Sequence, residues 1–263
     1  IDGNIMLVKN RDRTYKPTMS VIHYRTKKGI EIAIVYDKTT QYLEGMNEYG
    51  IGILNSTMLN EIDSDAEGTY NREQGKIVFK ALNTKTIDEA IGVLTTQSGG
   101  LEGHTMVADS VRAYHVEMLK GSESHVTQLD PTTGWDARTN HGVYFPEGGY
   151  MPRDGHIYMS SNYRKALAEI ELSVADSPKK IMAILRQQHN EPDSHLNMHR
   201  RVPASDDYPY GFMTTSQIVM DLSLRQLFFH SYNNVSEFCG QVENLLPKGY
   251  KSKIKIKLSN SDH

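Results

Sequence analysis

Glu44-Gly45-Met46-Asn47-Glu48-Tyr49-Gly50-Ile51-Gly52-Ile53-Leu54-Asn55 is the stretch whose reading decides the fold. Asn47-Glu48-Tyr49-Gly50 has the chemistry of a tight reversal, with Asn and Gly at its ends. It leads into a short apolar strand over residues 50–57, and Asn55 near the strand's end can aim its amide NH2 into a cleft. Gly50 and Gly52 nearly spell a dinucleotide-binding fingerprint. Asn55 stands where the third glycine belongs, however, and a polar loop follows instead of a helix. The stretch reads as a turn and a strand, not as a nucleotide cradle.

Working outward, the N-terminal side also reads as strands. Ile5-Met6-Leu7-Val8 follows the turn signal Asp2-Gly3-Asn4, and residues 20–24 and 31–37 flank a turn at Lys27-Lys28-Gly29. On the C-terminal side, Thr86-Ile87-Asp88-Glu89 fits a capping box, with Ile87, Ala90, Ile91 and Leu94 at helical spacing. Residues 103–109, 112–118 and 125–129 form a three-strand meander. A helix is expected over 161–174, with Leu167, Ile170 and Val174 on one face. Ser177-Pro178 opens a further helix to about residue 188. Residues 190–209 read as a long loop, and 214–221 with 226–232 as a closing hairpin. Residues 253–258 alternate Lys with Ile or Leu, as an exposed edge strand does. Strands at both ends with helices grouped between them argue for an α+β fold with antiparallel sheets.

Composition narrows the class. The chain has 263 residues, 38% hydrophobic and 23% charged, enough for one sizeable core and too apolar for a disordered chain. Lys plus Arg is 29 and Asp plus Glu is 32, a net charge of −3 that lacks the basic excess of a nucleic-acid surface. No apolar run is long enough to span a bilayer. The lone Cys239 excludes an internal disulfide framework and a cysteine-based zinc site, and a free Cys is ordinarily a small buried hydrophobe. These features lead us to expect a soluble cytoplasmic protein, one domain over residues 1–263. Ile1 is neither Met nor a small residue exposed by Met removal, and the turn at Asp2-Gly3-Asn4 has no strand before it. A first strand upstream of residue 1 is therefore expected, with any targeting segment upstream as well.

Two histidine patterns resemble metal-site motifs. His195 and His199 are four apart, as two zinc ligands on a helix would be. They sit among Pro, Asp and Asn with Leu after His195, which reads as a loop with incidental histidines. His115-Val116-Glu117 begins like a deaminase motif, but no paired cysteines follow. No Gly-x-Ser-x-Gly elbow occurs.

Three polar segments carry more together than apart. Lys9-Asn10-Arg11-Asp12-Arg13 sets three cations and a carboxylate directly after an apolar strand. Asn47 to Asn55 is the turn and strand already described. Arg138-Thr139-Asn140-His141-Gly142 is followed by Ser160-Ser161-Asn162-Tyr163-Arg164, which adds a strand-terminal Asn and an Arg in the first turn of a helix. Read singly, they are a solvated turn, a capping Asn and a surface cation.

In that order the segments resemble the N-terminal-nucleophile (Ntn) hydrolases. The nearest branch is that of choloylglycine hydrolase and the autoproteolytic enzymes like acyl-coenzyme A:6-aminopenicillanate acyltransferase. The branch carries an Arg-Asn-x-Asp motif, here Lys9-Asn10-Arg11-Asp12, with Lys in place of Arg. It carries an Asn-Glu-x-Gly…Asn strand, here Asn47 to Asn55. Thr139-Asn140-His141 and Ser160 to Arg164 match its later motifs, and Thr214-Thr215-Ser216 sits as its C-terminal strands do. The resemblance implies an αββα sandwich of two antiparallel sheets between helical layers. It also implies hydrolysis or acyl transfer at a linear amide bond of a small N-acyl amide. The nucleophile is an N-terminal Cys, sometimes Ser or Thr, whose own amine is the base. By that resemblance Asp12 orients the α-amino group and Asn55 donates to the oxyanion. Asn140 binds the α-amino group or the scissile amide, and Arg164 orders the site or meets a substrate anion. Lys9, Arg11 and His141 lie on the substrate side. No metal or cofactor is implied, nor a nucleic-acid or membrane partner, and family members often form homo-oligomers. Ile1 carries no attacking atom, so the nucleophile is expected upstream. Two rivals stay open: a ligand-binding protein that has lost its nucleophile, and a metal-dependent hydrolase that uses some of the 11 histidines.

Overall fold

The computed structural model describes residues 3–15, 17–58, 67–96, 100–119, 123–130, 132–148, 155–191, 193–206, 211–232 and 253–257. Cys239 lies outside them. The chain folds around two antiparallel sheets. Seven strands follow one another as a meander: β2 (Met19–Arg25), β3 (Glu31–Asp37), β4 (Tyr42–Asn47), β5 (Gly52–Ser56), β6 (Gly103–Ala108), β7 (Ala113–Met118) and β8 (Ser124–Gln128). The second sheet runs β1 (Met6–Arg13), β10 (Phe212–Asp221), β11 (Gln226–Ser231), β12 (Lys253–Lys257), with β9 (Arg201–Val202) attached to β10.

Alternation along the strands sorts two cores. On β3, Ala33 and Val35 face the layer between the sheets, with Leu7, Met46, Leu54, Ile218, Met220 and Phe229. Ile32 and Ile34 face the opposite side, where α1 (Glu67–Leu82) and α2 (Ile87–Leu94) cover the seven-stranded sheet with Val78, Leu82, Ile87 and Leu94. Thr86 caps α2 in the expected reciprocal box with Glu89. The turn before β5 forms as read. Asn47 Oδ1 accepts from the Tyr49 and Ile51 amides, and its Nδ2 donates to the carbonyls of Leu82, the last residue of α1, and of Thr84 just beyond it. Gly50 takes φ +81° there, which a side chain would resist.

The other helical layer is α3 (His156–Leu172) with α4 (Pro178–Ile184). Asn10 Nδ2 donates to the carbonyls of Leu185 and Met198, and Arg186 to His230 Nδ1. These bonds fix the end of α4 and the following loop against β1 and β11. Two sheets between helical layers is the α+β sandwich expected from sequence.

Several elements differ from the sequence reading. β1 does not stop before the polar cluster: Lys9 to Arg13 continue the ladder with β10, and the charged side chains on each face of the strand meet polar partners. β4 and α1 were not foreseen as elements. α4 ends at Ile184, short of residue 188, and β9 interrupts the 190–209 loop. α3 begins earlier than 161, and its expected apolar stripe is not its buried face: Ile170 and Val174 are 67% and 60% exposed. Ser160, Ser161 and Arg164 are buried instead, because the helix packs on a polar segment that needs hydrogen bonds.

Candidate active site along the open edge of β1

Among the described residues, β1 has β10 as its one ladder partner. Its other edge walls a cavity of about 250 Å³, and every residue from Met6 to Arg13 lines it. Asn55 to Thr57, His104, Asp136, Arg138 to Asn140, Arg164 and Arg200 complete the polar part of the wall. Of the seven residues singled out from sequence, Lys9, Arg11, Asp12, Asn55, Asn140 and Arg164 meet here. His141 stands behind the wall, buried, with Nδ1 3.0 Å from Ser161 Oγ.

Strand alternation separates two polar groups on β1. Lys9 and Arg11 point between the sheets to Glu44 of β4, at 2.5 and 2.6 Å. The Glu44 and Arg11 side chains are wholly buried, and Lys9 is 17% exposed. Glu44 Oε1 also accepts from the backbone N–H of Asn55 at 3.0 Å, and Lys9 Nζ donates to the Asn55 carbonyl. Burial works against the charge on Glu44, but Lys9 and Arg11 outweigh it and hold its pKa at about 2. Burial, helped by Arg11, pushes the Lys9 ammonium down to about 8 against the pull of Glu44. Glu44 is the hub that the sequence analysis missed. A lone carboxylate within a strand whose neighbours are Leu43 and Gly45 was the available signal.

Asp12 lies past a ladder irregularity between Arg11 and Asp12. Its Oδ1 accepts from Thr214 Oγ1 at 2.6 Å, and its Oδ2 from Nε of Arg200 at 2.8 Å and from the same guanidinium's Nη2. Burial opposes ionisation, and Arg200, Thr214 and Arg164 together overcome it, so its pKa sits below the usual value. Arg200 comes from the long loop, and nothing in its local sequence marks it.

The two asparagine amides are both engaged. Asn55 Nδ2 donates to the Glu102 carbonyl at 2.8 Å and to Thr105 Oγ1 at 3.1 Å. Asn140 Nδ2 donates to Ser56 Oγ at 3.2 Å and to the Thr57 carbonyl at 3.1 Å, and its Oδ1 accepts from Arg164. Ser161 Oγ accepts from the backbone N–H groups of Asn140 and His141 at 2.9 and 3.1 Å. This is why Ser161 is a buried residue of α3.

No protein-family model matches the chain, and no curated protein is similar to it in sequence. Solved structures do align. The N-acylethanolamine-hydrolyzing acid amidase ortholog of Caenorhabditis elegans aligns over 90% of this chain and 93% of its own, at 12% identity and a TM-score of 0.54. Penicillin V acylase from Agrobacterium tumefaciens covers 88% of this chain and 80% of its own at 13% identity. A variant of conjugated bile acid hydrolase from Clostridium perfringens covers 99% and 95% at 14% identity. Both of these have TM-scores of 0.47. Two antiparallel sheets, helices on either side, and an alignment over 90% of this chain give it a likeness in fold to the acid amidase ortholog.

Proposed function

We propose that this chain is an amide hydrolase, working through an N-terminal Cys that lies on a strand upstream of Ile1 and pairs with the open edge of β1, all within one Ntn-type domain. The observation that carries the reading is the cavity along that edge, where Asp12, Asn55, Asn140 and Arg164 converge. A strand laid there brings its first residue among them. An α-amino group has a reference pKa of roughly 8, so near neutral pH it can take the thiol proton. The thiolate attacks the amide carbonyl, the amine leaves with a proton, and water releases the acyl group. Asp12 holds the α-amino group: a carboxylate has about four acceptor sites, and Thr214 and Arg200 together make three bonds to it. Asn55 and Asn140 meet the reacting oxygen by giving up their longer bonds to the hydroxyls of Thr105 and Ser56. The name of the acid amidase ortholog supports amide chemistry, and the substrate class proposed is a small N-acyl amide.

The test is intact mass and N-terminal mapping of the naturally expressed protein, before and after iodoacetamide, with hydrolysis of N-acyl amino acids and acylated amines followed alongside. The expected result is a mature N-terminal Cys that alkylates ahead of Cys239 and takes the activity with it. Activity that survives alkylation but is lost to a chelator would replace this reading with a metal hydrolase. A natural chain with no terminal nucleophile would make the cavity a ligand pocket. Within the proposal, Asn140→Ala lowers kcat by about 10²–10³-fold, as loss of an oxyanion donor does.

A further inference from the structure

Beside the cavity, on the inner face of the seven-stranded sheet, lie three buried groups that the proposed chemistry does not use: His104 of β6 and His115 and Glu117 of β7. Their donor atoms lie within 4.8 Å of one another, close enough to hold a metal ion. The hydrogen bonds around them point elsewhere. Arg138 Nε lies 3.2 Å from His115 Nδ1, His115 Nε2 lies 2.9 Å from His104 Nδ1, and His104 Nε2 lies 2.8 Å from the carbonyl oxygen of His141.

The direction of this chain follows from its first member. A guanidinium only donates and does not lose its proton in a protein. His115 Nδ1 must therefore accept, which leaves its proton on Nε2. His104 Nδ1 then accepts that proton's hydrogen bond, so His104 carries its own proton on Nε2 and donates to the His141 carbonyl. Every donor meets an acceptor, and both rings are neutral. Burial, with Arg138 beside it, presses the His115 pKa down to about 2, and burial lowers that of His104 as well.

A metal would need lone pairs on His104 Nδ1 and His115 Nε2 at once. The His115 proton would then move to Nδ1 and face the Arg138 N–H. Two nitrogens bound tetrahedrally to zinc at about 2.0–2.1 Å stand about 3.3 Å apart, wider than the separation here, which is that of a hydrogen bond. Glu117 is also committed: its carboxylate accepts from the backbone N–H groups of Val143, Tyr144 and Phe145 at 2.8–3.2 Å.

The chain of bonds ends on a segment that needs it. Residues 136–141 join no sheet ladder, so their peptide groups must find side-chain partners. Ser161 takes the N–H groups of Asn140 and His141, and His104 supplies the donor for the His141 carbonyl. Asn140 is thus held from the helix on one side and from the sheet on the other. We propose that Arg138, His115 and His104 form a hydrogen-bond relay of fixed tautomers that positions Asn140, and that they are positioning residues, not metal ligands or acid–base groups.

The relay stands on geometry, and its bearing on catalysis rests on the amidase reading, so the two are tested separately. Nitrogen-15 NMR of the imidazoles in the full chain reads the tautomers without any substrate. The expected result is Nε2–H with an unprotonated Nδ1 at both His104 and His115, unchanged when zinc chloride is added. A proton on Nδ1 of either ring, or zinc-dependent shifts at both, overturns the relay. For the catalytic part, His104→Leu removes the donor to the His141 carbonyl, whereas His104→Gln keeps an N–H at its end. His104→Leu is expected to lower kcat by about 10–100-fold with little change in KM, and His104→Gln to restore most of it. Equal losses in both variants would reduce His104 to a packing role and overturn the positioning. If the wild-type chain hydrolyses no amide, the proposed function fails while the NMR result still decides the relay.

Discussion

Helices α2 and α3 are secured by different means. α2 follows a reciprocal cap at Thr86 and Glu89 and buries Ile87, Ala90 and Leu94 in an apolar layer against the sheet. α3 has no side-chain cap, leaves Ile170 in solvent, with Val174 exposed just past its end, and buries Ser160, Ser161 and Arg164 instead. Burial of apolar area is non-directional, so α2's contribution depends mainly on how much surface it hides. A buried polar face is directional: it stabilises only if each donor meets an acceptor, and it becomes a liability when one partner is lost. The same contrast separates the apolar layer beneath α1 and α2 from the charged layer around Glu44. A binding site needs the second kind of material, because only directional groups can aim at a substrate.

The largest test removes the centre of the charged layer. Glu44→Gln leaves Lys9 and Arg11 buried without their carboxylate, and we expect a loss of about 3–5 kcal/mol of unfolding free energy in denaturant titration. A loss below that of an ordinary surface substitution would show that the two cations find other partners, and the contrast between layers would weaken. In the apolar layer, Leu94→Ala in α2 should cost about 2–5 kcal/mol by the same titration, with no change in the tautomers of His104 and His115.

The pH dependence sharpens the comparison, because only the charged layer has one. Glu44 is held at about 2 against an ordinary value of 4.5, so its contribution is complete above pH 4.5 and is lost as the pH falls toward 2. Lys9 is pushed from 10.5 to about 8. Between those values the unfolded chain binds a proton that the folded chain does not, so this group makes stability rise with pH across that window. Unfolding free energies measured from pH 2 to 5 should show the acid slope in the wild type and lose the Glu44 share of it in Glu44→Gln.

Smaller effects test the helices themselves. Thr86→Ala removes the cap of α2 and should cost about 1 kcal/mol. Ile170→Ala, on the stripe that faces solvent, should change stability by less than about 0.5 kcal/mol. A large loss at Ile170 would mean that a partner covers that face of α3 in solution.

The difference between the two helices also marks what was legible beforehand. Thr86, Glu89 and the 3.6-residue spacing of Ile87, Ala90 and Leu94 declare α2 by themselves. The strands β2, β3, β5 to β8 and β10 to β12, with the start of β1, were readable because alternation and turn residues are local signals. Leu167, Ile170 and Val174 misled for α3, since spacing reports a possible apolar face and not which face the protein covers. Lys9 to Arg13 were read as a polar cluster after a strand because a run of charges looks solvated until its partner is seen. That partner, Glu44, lies 35 residues away from Lys9, and the Arg200 that meets Asp12 lies 188 residues away.

His115 and Glu117 give the clearest division. The sequence shows two groups, two residues apart on a strand, and strand period alone puts them on one face. It offers no means of telling a zinc ligand from a hydrogen-bonding ring. That choice is made by Arg138, which the fold brings to His115 Nδ1, and by the His141 carbonyl, which the fold brings to His104 Nε2. Propensity, alternation and capping act between near neighbours, so the amino-acid sequence by itself determined the α2 cap, ten of the twelve described strands at least in part, and the set of polar residues available for a site. Which of those residues are paired, charged or aimed into the cavity was decided only by tertiary structure, because Coulomb energy and hydrogen-bond geometry depend on distances between residues far apart in the chain.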